Sequence, residues 1–268
     1  MKIKAFLSTL LLCSMGAAAN LELQGNFTQG GLLMGRVATG STVTLNNEVV
    51  EVDQGGDFVI GFGRDAPLTH QLKINLANGE TISRNIELSP RDYQIQRITG
   101  IKKSIMQPSA EDLTRIKKES AEIYMARQHR STQPYFKQTP IWPATGPISG
   151  VYGSQRIYNG QPGRPHYGVD VAKPTGTKVV APLSGVVMVA SPDMFYSGGT
   201  IVIDHGFGLN TSYLHLSKLT VNVGDKVIKG DKIGEIGATG RSTGAHLDWR
   251  LNWGQVRLDP QLWAPPMN

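Results

Sequence analysis

Five side chains in three short motifs are of the types that hold a metal ion and work around it: His166 and Asp170 in HYGVD, His215 in TSYLHL, and His246 and Asp248 in AHLDW. Imidazole nitrogens and carboxylate oxygens both suit zinc, and a catalytic zinc takes three protein ligands and leaves a fourth position to water. His166 and Asp170 supply two ligands. The HLD triplet is the natural source of the third, because alternate residues of a strand share one face. His246 and Asp248 then enter a cleft side by side while Leu247 packs behind them. Any one of these histidines alone reads better as an ordinary core or surface residue. As a set beside Gly, Asp and Tyr they point to a metal site.

The elements that must position them are mostly strands. From Ile148 onward, Val179–Val180, Val186–Val189, Ile201–Ile203 and Val227–Ile233 read as short strands separated by PTG, SGG, GFG and KGD turns. The GRSTG turn reads as structural, since its glycines let the backbone enter the His246 strand. Ser242 lacks the Gly-x-Ser-x-Gly surroundings of a nucleophile. Earlier in the chain, Val43 and Leu45 precede Asn46-Asn47 and are followed by Val50 and Val52. Leu72, Ile74 and Leu76 alternate before Asn78-Gly79, with Ile82, Ile86 and Leu88 on the returning arm. This predicts a small β-sandwich of immunoglobulin-like size over residues 20–100, with His70 on its surface.

One helix is predicted, from about Ala110 to His129, capped by Ser109 with Asp112 three residues on. Its apolar stripe is Leu113, Ile116, Ile123 and Tyr124. It forms a linker over 101–134, docked on one of the β domains. Pro134, Pro140, Pro143 and Pro147 then mark an irregular connection into a domain spanning 135–268.

Residues 1–19 carry Lys2 and Lys4, an apolar core from Ala5 to Cys13, and Ala17, Ala18 and Ala19 before Asn20. That pattern is a secretory signal peptide cleaved after Ala19. The single cysteine, Cys13, lies inside it, so the mature chain has no disulfide. Lipidation at Cys13 is disfavoured by the bulky Leu12. Loss of Lys2 and Lys4 takes the formal charge from +6 to +4. The excess suits a polyanionic envelope partner but is too dispersed for nucleic-acid binding.

HYGVDVAKPTGTKVVAPLSGVV, IDHGFGLNTSYLHL and VGDKVIKGDKIGEIGATGRSTGAHLDWR, in that order, resemble the lysostaphin/LytM-type zinc endopeptidases that cut peptide cross-links of bacterial peptidoglycan. The resemblance runs from near Trp142 to Pro260. It implies a mainly β protein whose C-terminal part is a compact antiparallel β metallopeptidase domain with a narrow groove. It further implies metal ligands His166, Asp170 and Asp248, and catalytic histidines His215 and His246. Tyr158 is implied as an oxyanion donor by analogy with an upstream tyrosine of some relatives; otherwise it is a loop residue lining the groove. His205 reads as supporting or turn-forming, and Tyr213 as bracing His215 from the same strand face.

One position departs from the family pattern: Asp248 stands where active members usually carry the second histidine of His-x-His. A carboxylate still ligates zinc, although two carboxylates neutralise the ion formally, which favours a slower hydrolase or a harder metal such as manganese. The function implied is that of an exported zinc metalloendopeptidase acting on peptidoglycan peptide strands in the periplasm or cell envelope. The alternative is a metal-free relative that activates a partner hydrolase or only binds peptidoglycan. On this reading Asp248→His keeps or gains metal, and deleting residues 20–130 speeds turnover of short peptides if the sandwich covers the groove.

Overall fold

The computed structural model describes residues 21–98, 109–158 and 160–267; the expected signal peptide lies outside the described residues. The first seven strands are β1 (Glu22–Gly25), β2 (Leu32–Arg36), β3 (Thr42–Leu45), β4 (Glu48–Val50), β5 (Asp57–Gly61), β6 (Thr69–Asn75) and β7 (Thr81–Glu87). They form two facing sheets, β1-β2-β5 and β4-β3-β6-β7. Alternation supplies the core: Leu33, Val43, Phe58, Ile60, Leu72, Ile74 and Ile86 point inward and pack as one cluster. The β3–β4 turn places both Asn46 and Asn47 at positive φ, 51° and 69°, as a tight two-residue hairpin requires. His70 is not a surface residue. It is buried against Phe62 with ring centroids 4.6 Å apart, and its ring nitrogens meet Asn46 and the Pro67 carbonyl.

Strand β8 (Ile95–Ile98) leaves the sandwich. The helix α1 (Ala110–Gln128) starts at Ser109, whose hydroxyl accepts from the Asp112 amide while the Asp112 carboxylate accepts from the Ser109 amide. Its buried line differs from the predicted stripe. Of the predicted residues Ile123 packs on Val189, Met194 and Val202 and Ile116 is half-buried, but Leu113 and Tyr124 are exposed, and the line is completed instead by buried Ala126 and Arg127. The helix is too polar for an apolar stripe to set its seating, so contacts with the sheet beneath decide it.

Beyond the prolines come β9 (Ile148–Gly150), β10 (Gln155–Tyr158), β11 (Gln161–Pro162), β12 (Val169–Ala172), β13 (Lys178–Val180), β14 (Gly185–Met194), β15 (Gly198–Asp204), β16 (Leu209–Leu219), β17 (Lys226–Val227), β18 (Lys232–Ile236), β19 (His246–Trp253), β20 (Val256–Leu258) and a short helix α2 (Pro260–Trp263). The stretch expected as one strand over Val227–Ile233 is two, β17 and β18, parted by a turn at Ile228–Asp231. The main sheet runs β17-β14-β15-β16-β19-β12-β9. One face is apolar, with Val171, Ile201, Tyr213, Leu247 and Trp249 in its core. The opposite face carries α1 and the motif residues of β12 and β19. β10 pairs antiparallel with β11 and parallel with β8, which ties the end of the N-terminal segment to the loop before His166.

The sandwich is packed firmly on the C-terminal part. Leu32 and Val59 share an apolar cluster with Phe136, Leu183, Phe207, Leu209, Leu251 and Leu258. Arg91 pairs with Asp259 at 2.9 Å, and the Asn26 amide donates to the Leu262 carbonyl at 2.6 Å. These contacts gather at the Trp253 end of β19, away from His246. Removing residues 20–130 would strip cover from Leu251 and Leu258. Gly61 marks one close approach, because a Cβ there would lie 2.8 Å from both Leu258 methyls and 3.1 Å from the Trp253 Cβ. Gly61→Val should therefore cost about 1–3 kcal/mol of stability through overpacking. Urea unfolding that matches the native protein would contradict this docking.

Candidate metal centre and catalytic groove

The site is built on two neighbouring strands. β12 and β19 run antiparallel in a register that sets Asp170 opposite Asp248 and Ala172 opposite His246. Two carboxylates thus face each other across one rung, on the same sheet face as His246 and Arg250. Leu247 is fully buried on the other face. The room is made by glycines: a Cβ on Gly150 would lie 2.1 Å from Asp170 Oδ2, and one on Gly168 would lie 2.3 Å from Asp248 Oδ1.

His166 comes from the loop before β12. One ligand atom each of His166, Asp170 and Asp248 falls within a set whose members all lie within 4.8 Å of one another. His166 Nε2 and Asp170 Oδ1 approach to 3.2 Å, yet both are buried without a hydrogen-bond partner among the described residues. Buried polar atoms normally find partners, so two such atoms 3.2 Å apart fit a place where a cation could be held. Burial alone would lower the His166 pKa, but its contact with Asp170 and the charges of Asp248 and Asp170 outweigh this and raise it. The cluster favours a positive charge at that spot.

Asp248 has a second engagement that the sequence reading did not include. The Arg250 Nε donates to Asp248 Oδ1 at 3.0 Å and Oδ2 at 3.1 Å, and Nη2 donates to Oδ2 at 2.6 Å. Burial would raise the Asp248 carboxyl. The Arg250 charge and hydrogen bonds, aided by His166 and His215, win and hold it below the usual carboxylate range. Because a carboxylate has about four acceptor sites, Oδ1 keeps a lone pair for a metal. Arg250 was legible in HLDWR: it stands two residues after Asp248 and so shares its face.

His215 and His246, the two histidines expected to do catalysis, meet above this pair. Their rings lie 4.8 Å apart, centroid to centroid. His246 Nδ1 lies 2.8 Å from the Gly244 carbonyl and His215 Nδ1 lies 2.8 Å from the Thr239 carbonyl. Each Nδ1 must be the donor, which leaves Nε2 unprotonated in the neutral ring. His246 Nε2 lies 3.8 Å from Asp170 Oδ1. Burial lowers the His215 pKa, further favouring its neutral form. Ser242 donates to the Gly244 carbonyl at 2.6 Å and serves the turn.

His215 reaches the site by a break in β16. Its φ is +65°, and the register of β16 shifts nearby against β15 and against β18. Simple alternation would leave His215 on the core face with Tyr213; the kink turns it away. Tyr213 consequently does not brace His215. Its hydroxyl meets Thr211 Oγ1 at 2.7 Å, which in turn meets His205 Nε2 at 2.7 Å. Tyr158 lies in β10, but its side chain is outside the described residues.

With this geometry in hand, residues 164–260 match the family described as Peptidase family M23. The chain carries a peptidase family M23 domain. The peptidoglycan DD-endopeptidase ShyA of Vibrio cholerae is 48% identical over 87 residues, 32% of this chain and 20% of that protein. The DD-carboxypeptidase/endopeptidase Mpg of Neisseria meningitidis is 42% identical over 103 residues, 38% of this chain and 24% of that protein. The chain thus spans about a fifth to a quarter of the length of these curated relatives. A Pseudomonas aeruginosa crystal structure assigned to peptidase M23 superposes with a TM-score of 0.70 and 27% identity, covering 89% of this chain and 95% of that one. That likeness extends through the N-terminal strands.

His205 is fully buried, with Nδ1 on the Ser184 carbonyl at 2.8 Å, and burial holds its pKa down at about 4. An unfolded histidine titrates near 6.5, so between roughly pH 4 and 6.5 the unfolded chain binds a proton that the folded chain refuses. Stability is intact above that window and falls as pH drops through it, by roughly 3 kcal/mol in all. Unfolding measured at pH 7.5 and 4.5 should show a steeper acid loss for the native protein than for His205→Gln. Equal losses would remove His205 as the source.

Proposed function

We propose that this protein is an exported, zinc-dependent peptidase that hydrolyses peptide cross-links of bacterial peptidoglycan. The observation that carries the reading is the pair of orphaned, buried ligand atoms on His166 and Asp170, facing Asp248 beneath two histidines with free Nε2 atoms. The M23 family match and the names of the DD-endopeptidase relatives support the substrate class. The pattern of residues 1–19 supports export.

His166, Asp170 and Asp248 would hold the ion. When bound, zinc supplies a Lewis acid that polarises the scissile carbonyl and makes water a nucleophile near neutral pH. The chain's own residues do the rest. Asp170, opposite Asp248, would help hold the ion on the sheet face that also carries His246. His246 and His215 each keep a proton on Nδ1 against a backbone carbonyl, so both Nε2 atoms are free to take a proton and return it to the departing amine. The rings are tilted by 53° to each other with centroids 4.8 Å apart, close enough to serve one substrate amide. No protein nucleophile is needed.

A second reading has its own observation. Arg250 already gives Asp248 a cation, as it would in a metal-free relative that activates a partner hydrolase. The two readings separate in one set of measurements on purified mature protein. The hydrolase contains about one zinc or manganese per chain, releases soluble peptides from purified peptidoglycan, stops when chelated, and loses about 100-fold or more in rate with His246→Ala. A metal-free protein that releases peptides only when a second hydrolase is added would replace the first reading with the second.

A further inference from the structure

The pairing of Arg250 with Asp248 concerns the one position at which the motif is unusual. Three facts converge on it. First, the grip is tight and two-sided: Oδ2 accepts two hydrogen bonds from the guanidinium and Oδ1 only one. Second, Asp248 is almost wholly buried at 3% exposure and stands directly opposite the half-buried Asp170, so its own carboxylate has almost no bulk water to disperse its charge. Third, Arg250 is not the only cation nearby. Arg127, buried at the end of α1, donates to Ser212 Oγ at 3.3 Å, and Ser212 is the cross-strand partner of Arg250. Arg127 Nε has no partner among the described residues. Arg257 lies over the Tyr167 ring at 4.2 Å. Burial, followed by the charges of Arg250 and Arg257, lowers the Arg127 pKa to about 9, so these guanidiniums feel one another.

We propose that Asp248 is a bridging carboxylate, giving Oδ1 to the divalent ion and Oδ2 to Arg250, so that Asp248 and Arg250 together act as one formally neutral ligand. This rests on the metal-site reading above and deepens it. Zinc with one histidine and two carboxylates is formally neutral; Arg250 restores a net charge of one, as in a site with a single carboxylate. Arg250 is therefore a positioning residue. It fixes the carboxylate rotation and stops Oδ2 from joining the coordination, which keeps Asp248 monodentate. A monodentate carboxylate suits four-coordinate zinc, whereas a bidentate one suits larger cations that take more oxygens.

The pairing reverses the expectation for Asp248→His drawn from the motif alone. A histidine at 248 would leave Arg250 half-buried, without a counter-ion, and beside a dication. Breaking a buried pair by removing one partner is strongly unfavourable, whereas replacing both partners need not be. The ligand and its cation should change together or not at all.

The test is a double-mutant cycle read by metal affinity, using chelator competition with zinc and with manganese on the full mature chain. Asp248→His should bind zinc at least tenfold more weakly than the native protein, and Asp248→His with Arg250→Gln should recover to within about threefold. Equal affinities for the single and double variants would overturn the proposal. Should Asp248→His not fold, Arg250→Gln alone decides: with Oδ2 released, the preference for manganese over zinc should rise about tenfold, and an unchanged ratio would overturn the proposal. Native protein that holds neither metal sinks the underlying hydrolase reading instead, which is a different result from native protein that holds zinc while the variants follow no such pattern.

Discussion

Asp170 and Asp248 occupy one rung of adjacent antiparallel strands, and like charges placed so are mutually repulsive. The rest of the site answers that repulsion. Arg250 takes one carboxylate from below the rung, His166 leans on the other from the preceding loop, and the remaining lone pairs converge where a divalent ion would sit. Gly150 and Gly168 leave the space the carboxylates need, since neither could carry a side chain without colliding with one of them. Position and charge are thus set by backbone register. Loops contribute only His166 and the turn beneath His246.

The same sheet explains why the N-terminal sandwich is not a loose appendage. β19 links the two regions: His246 and Asp248 at one end belong to the candidate site, while Leu251 and Trp253 at the other meet the sandwich. Burial at the far end fixes the strand that must hold the near end in register. β8 makes a second link, pairing with β10, whose neighbouring backbone hydrogen-bonds the loop of His166. A metal site needs its ligands placed to within a few tenths of an ångström, and strands anchored on both sides provide that better than loops do.

Much of this was legible in the sequence because it follows from period and turn chemistry. The Asn46-Asn47 and Asn78-Gly79 hairpins, the Ser109 cap and the HLD alternation each have a local physical cause, and each appears in the structure. What was not legible depends on tertiary context. The left-handed backbone at His215 has no local signal, so alternation wrongly grouped it with Tyr213. His70 looked like a surface residue because nothing near it in sequence announces Phe62 or Asn46 as partners. The seating of α1 failed for a related reason: its polar composition leaves the choice of face to Val189, Met194 and Val202 on strands far away in sequence.

Arg250 falls between these cases and shows how a departure from a motif should be weighed. Considered by itself, an aspartate in place of a histidine suggests decay of a metal site. Considered with the arginine two residues on, it is one half of a charge pair that leaves Oδ1 with a spare lone pair. The pair sits opposite Asp170, beside two glycines that make room for both carboxylates, with His166 Nε2 and Asp170 Oδ1 without hydrogen-bond partners among the described residues. Leaving such groups unpaired costs stability, and replacement by apolar residues of similar size would relieve it. A cation held between the three side chains, as under the proposed function, would offset that cost.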